Sequence, residues 1–173
     1  RRSGGRVHDG VDTARVITQA AHSAGLIFWD GGNNDFPFVR PDLHVVLMDA
    51  LRAGHETEYY PGQAVLRTAD IAIVAKADSA SPAQVRKAMA SAEMLCPIAR
   101  ILRGASPVAL DHPEFVKGKR VLVVEDGPSL SHGGMQWGAG YVGAVAAGAQ
   151  EIVDPRRSAA PELARIFDEY PHI

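Results

Sequence analysis

Strand-sized apolar runs, separated by stretches with helical spacing, constrain this chain more than any other feature. "DLHVVLMD" (Asp42 to Asp49) and "DIAIVA" (Asp70 to Ala75) are rich in β-branched residues and read as strands buried on both faces. Leu26 to Trp29, "IARIL" (Ile98 to Leu102), "RVLVVED" (Arg120 to Asp126) and "EIVD" continue the series. Between the runs, apolar residues recur with helical period at Val11, Ala14, Val16, Ile17, Ala20, Ala21 and Ala24, stopping at Gly25. Ser81-Pro82 opens the amphipathic "AQVRKAMASAEML", and "AGYVGAVAAGA" and "PELARIFDEY" supply two more helices. Strands alternating with helices predict an α/β fold, a mostly parallel sheet with helices on both faces. The composition shift at "DHPEFVKGK" places a boundary there, with 1–110 as the core and 111–173 as its continuation or a second α/β lobe.

Several classes of protein are set aside by composition. At 46% hydrophobic and 22% charged, the chain can bury one substantial core or two small ones. A formal charge of −2 with no block of five like charges gives no footprint for nucleic acid or an anionic membrane. The lone Cys96 excludes an internal disulfide framework and a multi-cysteine zinc site, and reads as a small buried side chain. No run has membrane-spanning length and no signal segment opens the chain, so the expected location is the cytoplasm. The chain starts at Arg1 without methionine and stops at "DEYPHI", which leads us to expect an excerpt of a longer protein.

In parallel sheets ligands collect beyond the carboxyl ends of the strands. Here those positions hold Asp30-Gly31-Gly32, Asp49, Lys76-Ala77-Asp78 and Glu125-Asp126-Gly127. An acid closing a strand with glycine behind it is how phosphate-transferring folds place a carboxylate near Mg²⁺ and bring a loop to the terminal phosphate. Asp-Gly is equally ordinary turn chemistry. Lys76-Ala77-Asp78 follows a strand as the Asn-Lys-x-Asp element of GTP-binding proteins does, where a lysine stem covers the base and a carboxylate reads its edge. Ala75 stands in place of the asparagine, and a solvated turn is the other reading. The two acids of "VLVVED" also suggest a phospho-accepting receiver domain, but such a module needs a lysine beyond a later strand aspartate, and none follows Lys119.

"WDGGNNDFPF", "PDLHVVLMDALRAGHETEYYPGQAVLRTADIAIVAKAD" and "GKRVLVVEDGPSLSHGGMQWGAGYV" together resemble the cyclic 2,3-diphosphoglycerate synthetase family, also described as GTPases. The resemblance covers nearly the whole chain. It implies a P-loop nucleoside-triphosphatase core and ATP-dependent closure of 2,3-bisphosphoglycerate into its cyclic diphosphate, with release of ADP and phosphate. The phosphate loop itself, G-x-x-x-x-G-K-S/T, does not occur between Arg1 and Ile173. In the family it precedes the matching region, so we expect truncation, with the chain inactive alone; loss of the loop in a degenerate relative is the alternative.

The resemblance assigns roles residue by residue. Asp30 and Asp49 are the expected Mg²⁺ carboxylates, Asp30 with Arg52 and His55 the expected catalytic set. Gly31, Gly32, Lys76 and Asp78 are expected to contact ATP, or GTP as the other candidate. Asn33, Asn34 and Arg67 are expected to hold substrate phosphates, because a multiply charged anion leaves water only for charge-assisted donors. Ser131, His132, Gly133 and Gly134, in the glycine-rich stretch from Glu125 to Gly140, form an expected anion-binding nest ahead of a helix. The competing reading of that stretch is a simple strand-to-helix turn with Met135 and Trp137 as core. His44 and His22 are expected to be structural. The expected partner is a small phosphorylated substrate, with neither nucleic acid nor membrane, and a homodimer is an allowed assembly. A GTPase-like protein and a non-catalytic nucleotide-binding α/β module are the competing functions.

Overall fold

A computed structural model describes residues 5–32, 35–125, 128–131 and 133–173, with the side chains of 128 and 129 left aside. The chain divides into two units, Arg1–Ser106 and Pro107–Ile173.

The first unit opens with α1 (Thr13–Ala21), whose first turn is capped by the Asp12 side chain accepting from the Arg15 amide. Then come β1 (Val45–Asp49), a 3₁₀ turn at Ala50–Arg52, the short helices α2 (His55–Glu58) and α3 (Gly62–Arg67), β2 (Ile71–Ala75), α4 (Pro82–Leu95) and β3 (Arg100–Arg103). The three strands form one parallel sheet in the order β1-β2-β3, with Val45 opposite Ile71 and Ile71 opposite Arg100. Burial alternates along β1 and β2, as the two-residue period of a pleat requires. Val46, Met48, Ala72 and Val74 are buried in one cluster with Val65 and Leu66 of α3 and Val85, Ala88, Ala92 and Leu95 of α4. Ala50, Ala72, Ala88 and Ala92 are wholly inaccessible, and this seam of methyl groups is what lets α4 close on the sheet.

α4 starts where the sequence says it should. The Ser81 hydroxyl accepts from the Gln84 amide and the Gln84 side chain accepts from the Ser81 amide, a reciprocal capping box with Pro82 in the first turn. Cys96 is buried just after the helix, its thiol donating to the Ala92 carbonyl at 3.1 Å, and burial pushes that thiol's pKa up.

Two expectations are corrected. Helices cover one face of this sheet among the described residues, not both: on the other face Val45 and Leu47 are 43% and 52% exposed. The β-branched richness of the runs concealed this, because a strand buried on one side with apolar residues on both looks the same in sequence. The stretch Leu26 to Trp29 is not a strand, and Leu26 and Phe28 are exposed. Four apolar residues make a strand only where a neighbour completes the ladder; here Trp29 turns back edge-on to Phe38, with ring centroids 5.8 Å apart.

In the second unit, β4 (Arg120–Val121) pairs in parallel with β5 (Glu151–Ile152), and between them run α5 (Pro128–Ser131) and α6 (Ala139–Ala146); α7 (Pro161–Glu169) ends the series. The expected strand from Arg120 to Asp126 is thus a two-residue ladder, and residues 122–125 behind it belong to no regular element, with Leu122 and Val124 exposed. No helix among the described residues is long and apolar enough to cross a membrane.

Candidate functional site

The register of β1 and β2 puts Asp49 opposite Ala75, so the residues that leave the two strands, Asp49 and Lys76, emerge side by side. Asp49 caps the 3₁₀ turn, its Oδ1 accepting from the Leu51 amide at 3.0 Å. That turn brings Arg52 back over the carboxylate, and Arg52 Nε donates to Oδ2 at 3.0 Å. Lys76 Nζ donates to the same oxygen at 2.8 Å. The Asp49 side chain is 13% exposed, against 30% for Arg52 and 34% for Lys76, so the acid is inside and the cations face outward. Burial alone pushes the Asp49 carboxyl up, but the Lys76 ammonium, the Arg52 guanidinium and the Leu51 amide outweigh it and hold the group below the usual carboxylate range.

Lys76 adopts φ +56°, the left-handed region that a side chain other than glycine enters at a cost. Its surroundings fix it there. The Lys76 amide donates to Ser106 Oγ at 3.3 Å, the Ala77 amide to the Gly104 carbonyl at 3.0 Å, and the Ala80 amide back to the Lys76 carbonyl at 3.0 Å. Asp78 Oδ1 accepts from the Ser106 amide at 2.9 Å, so the exit loops of β2 and β3 are joined by two bonds to one serine. Gly104 packs on Ile73, where an added Cβ would come within 3.0 Å of the side chain. Ser106 and Gly104 were not singled out from sequence; a glycine and a serine directly behind the run at Ile98 to Leu102 were the available signal.

The other expected residues fall elsewhere. His55 begins α2 and pairs with Tyr59, ring centroids 4.9 Å apart. Arg67 is exposed at the end of α3, just before β2 begins, so a strand length on the order of 15 Å separates it from the tips. Asp30, Gly31 and Gly32 lie in an exposed loop that closes on itself: the Gly32 amide donates to Asp35 Oδ2 and the Asp35 amide to the Gly32 carbonyl. Gly31 has the Trp29 ring over it, and a Cβ there would meet the indole at 2.5 Å. Among the described residues, Asp30 has no part in the Asp49 cluster. Asn33, Asn34 and His132 lie outside the described residues.

In the second unit, Ser131 ends α5, half-buried, and Gly134 takes φ +65°. The start of α6 is already occupied by an acid of the chain: Glu125 Oε1 accepts from the Tyr141 amide at 2.9 Å, and a Cβ on Gly138 would collide with the same carboxylate. Trp137 stacks on Tyr141 at 4.0 Å and is half exposed, neither pure core nor free surface.

Asp49 does not suit Mg²⁺ as arranged. Two cationic donors share Oδ2 and an amide takes Oδ1, so an ion would have to displace them. Among the described residues no group of three or more His, Cys, Asp or Glu side chains is placed to hold a metal. What the cluster offers instead is outward-facing donors. Arg52 has used one of its five N–H groups on Asp49 and Lys76 one of its three, leaving four and two for a bound anion.

No protein-family model matches this chain. No solved structure matches it. Among curated proteins, a sequence from Thermococcus kodakarensis named arginine synthetase ArcE is 48% identical over 167 residues, which is 96% of this chain and 37% of that protein. The chain therefore spans rather more than a third of a longer relative, and along almost all of its own length it is similar to a protein that carries the name of a synthetase.

Proposed function

We propose that this chain supplies the strand-tip anion site of an ATP-dependent synthetase, in which a nucleotide's terminal phosphoryl group activates a small acceptor. One observation carries the reading: Lys76 and Arg52 are pinned to a single partly buried carboxylate at the carboxyl tips of adjacent parallel strands, with their remaining donors outward. Ligands of open α/β sheets bind at such tips. Pinning also lowers the entropy lost when an anion is held, because both long side chains are fixed before it arrives. In the transfer step an acceptor oxygen attacks the γ-phosphorus, the bond to the bridging oxygen breaks and ADP leaves. Lys76 and Arg52 neutralise charge on the phosphoryl oxygens, and Asp49 orients the two cations. Magnesium would accompany the nucleotide, bound away from the Asp49 oxygens, which already accept from Leu51, Arg52 and Lys76.

For the substrate, the name of the Thermococcus kodakarensis relative favours arginine as product. The resemblance of the quoted motifs to the cyclic 2,3-diphosphoglycerate synthetase family gives the second reading, cyclisation of 2,3-bisphosphoglycerate. Two assays of the full-length protein separate them. The first supplies arginine, ADP and phosphate and measures ATP formation, the synthetase reaction run backwards. The second supplies ATP and 2,3-bisphosphoglycerate and follows phosphorus NMR for the cyclic diphosphate. Loss of either signal in Lys76→Ala, with the fold kept, supports the site; full activity in that variant refutes it.

A further inference from the structure

Gln84 makes a bond that the helix cap does not require. At its position in the capping box, only an acceptor for the Ser81 amide is needed, and glutamate serves that role with the added benefit of a negative charge at the helix N-terminus. The chain has glutamine. Its Oε1 accepts from the Ser81 amide at 2.9 Å, and its Nε2, the donor that glutamate lacks, reaches the Leu51 carbonyl at 3.2 Å across 33 residues of sequence.

The position of Leu51 gives that bond its meaning. The Leu51 amide donates to Asp49 Oδ1, and Arg52, which follows directly, returns its guanidinium to Asp49 Oδ2. Leu51 is therefore held at its N–H by Asp49 and at its C=O by Gln84. At the other end, Ser81 closes the loop that leaves β2 through Lys76 and Asp78. One side chain thus ties the turn bearing Arg52 to the loop bearing Lys76, and it is half-buried, where a neutral amide is cheaper to keep than a carboxylate.

We propose that Gln84 is a positioning residue that makes the two strand-tip loops one unit, so that Arg52 and Lys76 keep a fixed spacing around Asp49. It deepens the reading of the tips as an anion site and rests on it for its meaning in turnover. The bond itself is tested independently.

The test compares Gln84→Glu with Ser81→Ala in the full-length protein. Q84E keeps the acceptor for Ser81 and loses the donor to Leu51; S81A removes the cap hydroxyl and leaves the Gln84 to Leu51 bond in place. Hydrogen exchange is read at the Leu51 amide and at the α4 amides. In Q84E the Leu51 amide should exchange about tenfold faster or more while α4 protection is unchanged, the signature of local opening. In S81A the pattern should reverse, with the first turn of α4 exchanging faster and Leu51 unchanged. Equal exchange at Leu51 in Q84E and the parent, or acceleration of Leu51 and α4 together, overturns the proposal; if Q84E fails to fold, a faster Leu51 amide in S81A does so by itself. Where the full-length protein turns over, Q84E should lower kcat by about ten- to a hundredfold with a smaller change in KM, the cost of misplacing a catalytic group by a fraction of a bond length to 1 Å. A protein with no turnover on any tested acceptor would sink the synthetase reading and leave the exchange result to decide on Gln84.

Discussion

Lys76 separates what a residue does for the fold from what it does for a ligand. Its left-handed backbone is strained and its side chain is one-third exposed, so its ion pair with Asp49 adds little to stability after screening. Lys76→Gly should therefore change the unfolding free energy by no more than about 1 kcal/mol, relief of strain offsetting the lost pair, while turnover falls at least about tenfold. Urea unfolding and an ADP-release assay check the two halves. Asp49 carries the pH dependence. Its folded pKa lies below the ordinary 3.8, so its contribution is complete above that value and is lost as pH falls through the folded one. Stability should decline on acidification below about pH 4, and Asp49→Asn should remove that part of the slope in urea midpoints measured against pH. Asp49 and Lys76 could be placed from sequence because parallel strands end at the same level, and Arg52 came from the family resemblance alone. Gln84, Ser106 and Glu125 could not, since their decisive bonds span 16 to 33 residues and no local pattern encodes them.

α4 shows how much an element owes to its ends and how much to its face. Ser81-Pro82 announced its start, and Ser81→Ala should cost about 1 kcal/mol, read as a shift in the chemical denaturation midpoint. Its buried face matters more. Leu66 of α3 sits 1% exposed in the same cluster, and Leu66→Ala should cost about 2–5 kcal/mol. The strands β1 and β2 were legible in position, but their one-sided burial was not, because Val45 and Leu47 are as apolar as Val46 and Met48. Leu26 to Trp29 misled for a related reason: apolar content shows that a segment can pair, and says nothing about whether a partner lies beside it. Arg67 misled by direction. The resemblance set it among the phosphate-holding residues, whereas the helix carrying it delivers the chain to the opposite end of β2.

At the scale of the whole chain, the two units carry separate reporters, Trp29 in the first and Trp137 in the second. The half-exposed stack of Trp137 on Tyr141 should report unfolding of the second unit alone. Gly138→Ala, which drives a methyl group onto the Glu125 carboxylate, should lower that transition and leave the first unit's cooperative unfolding, followed by far-UV circular dichroism, in place. A Glu125→Ala change added to it should recover part of the loss. The alanine seam has a longer reach. Where Ala50, Ala72, Ala88 and Ala92 meet with no accessible surface, every available mutation but glycine and serine adds bulk, so drift over generations is shut out of this layer and diverted to the rim. Distant descendants of this sequence should thus diverge in their loops and surfaces while keeping four small side chains between helix and sheet.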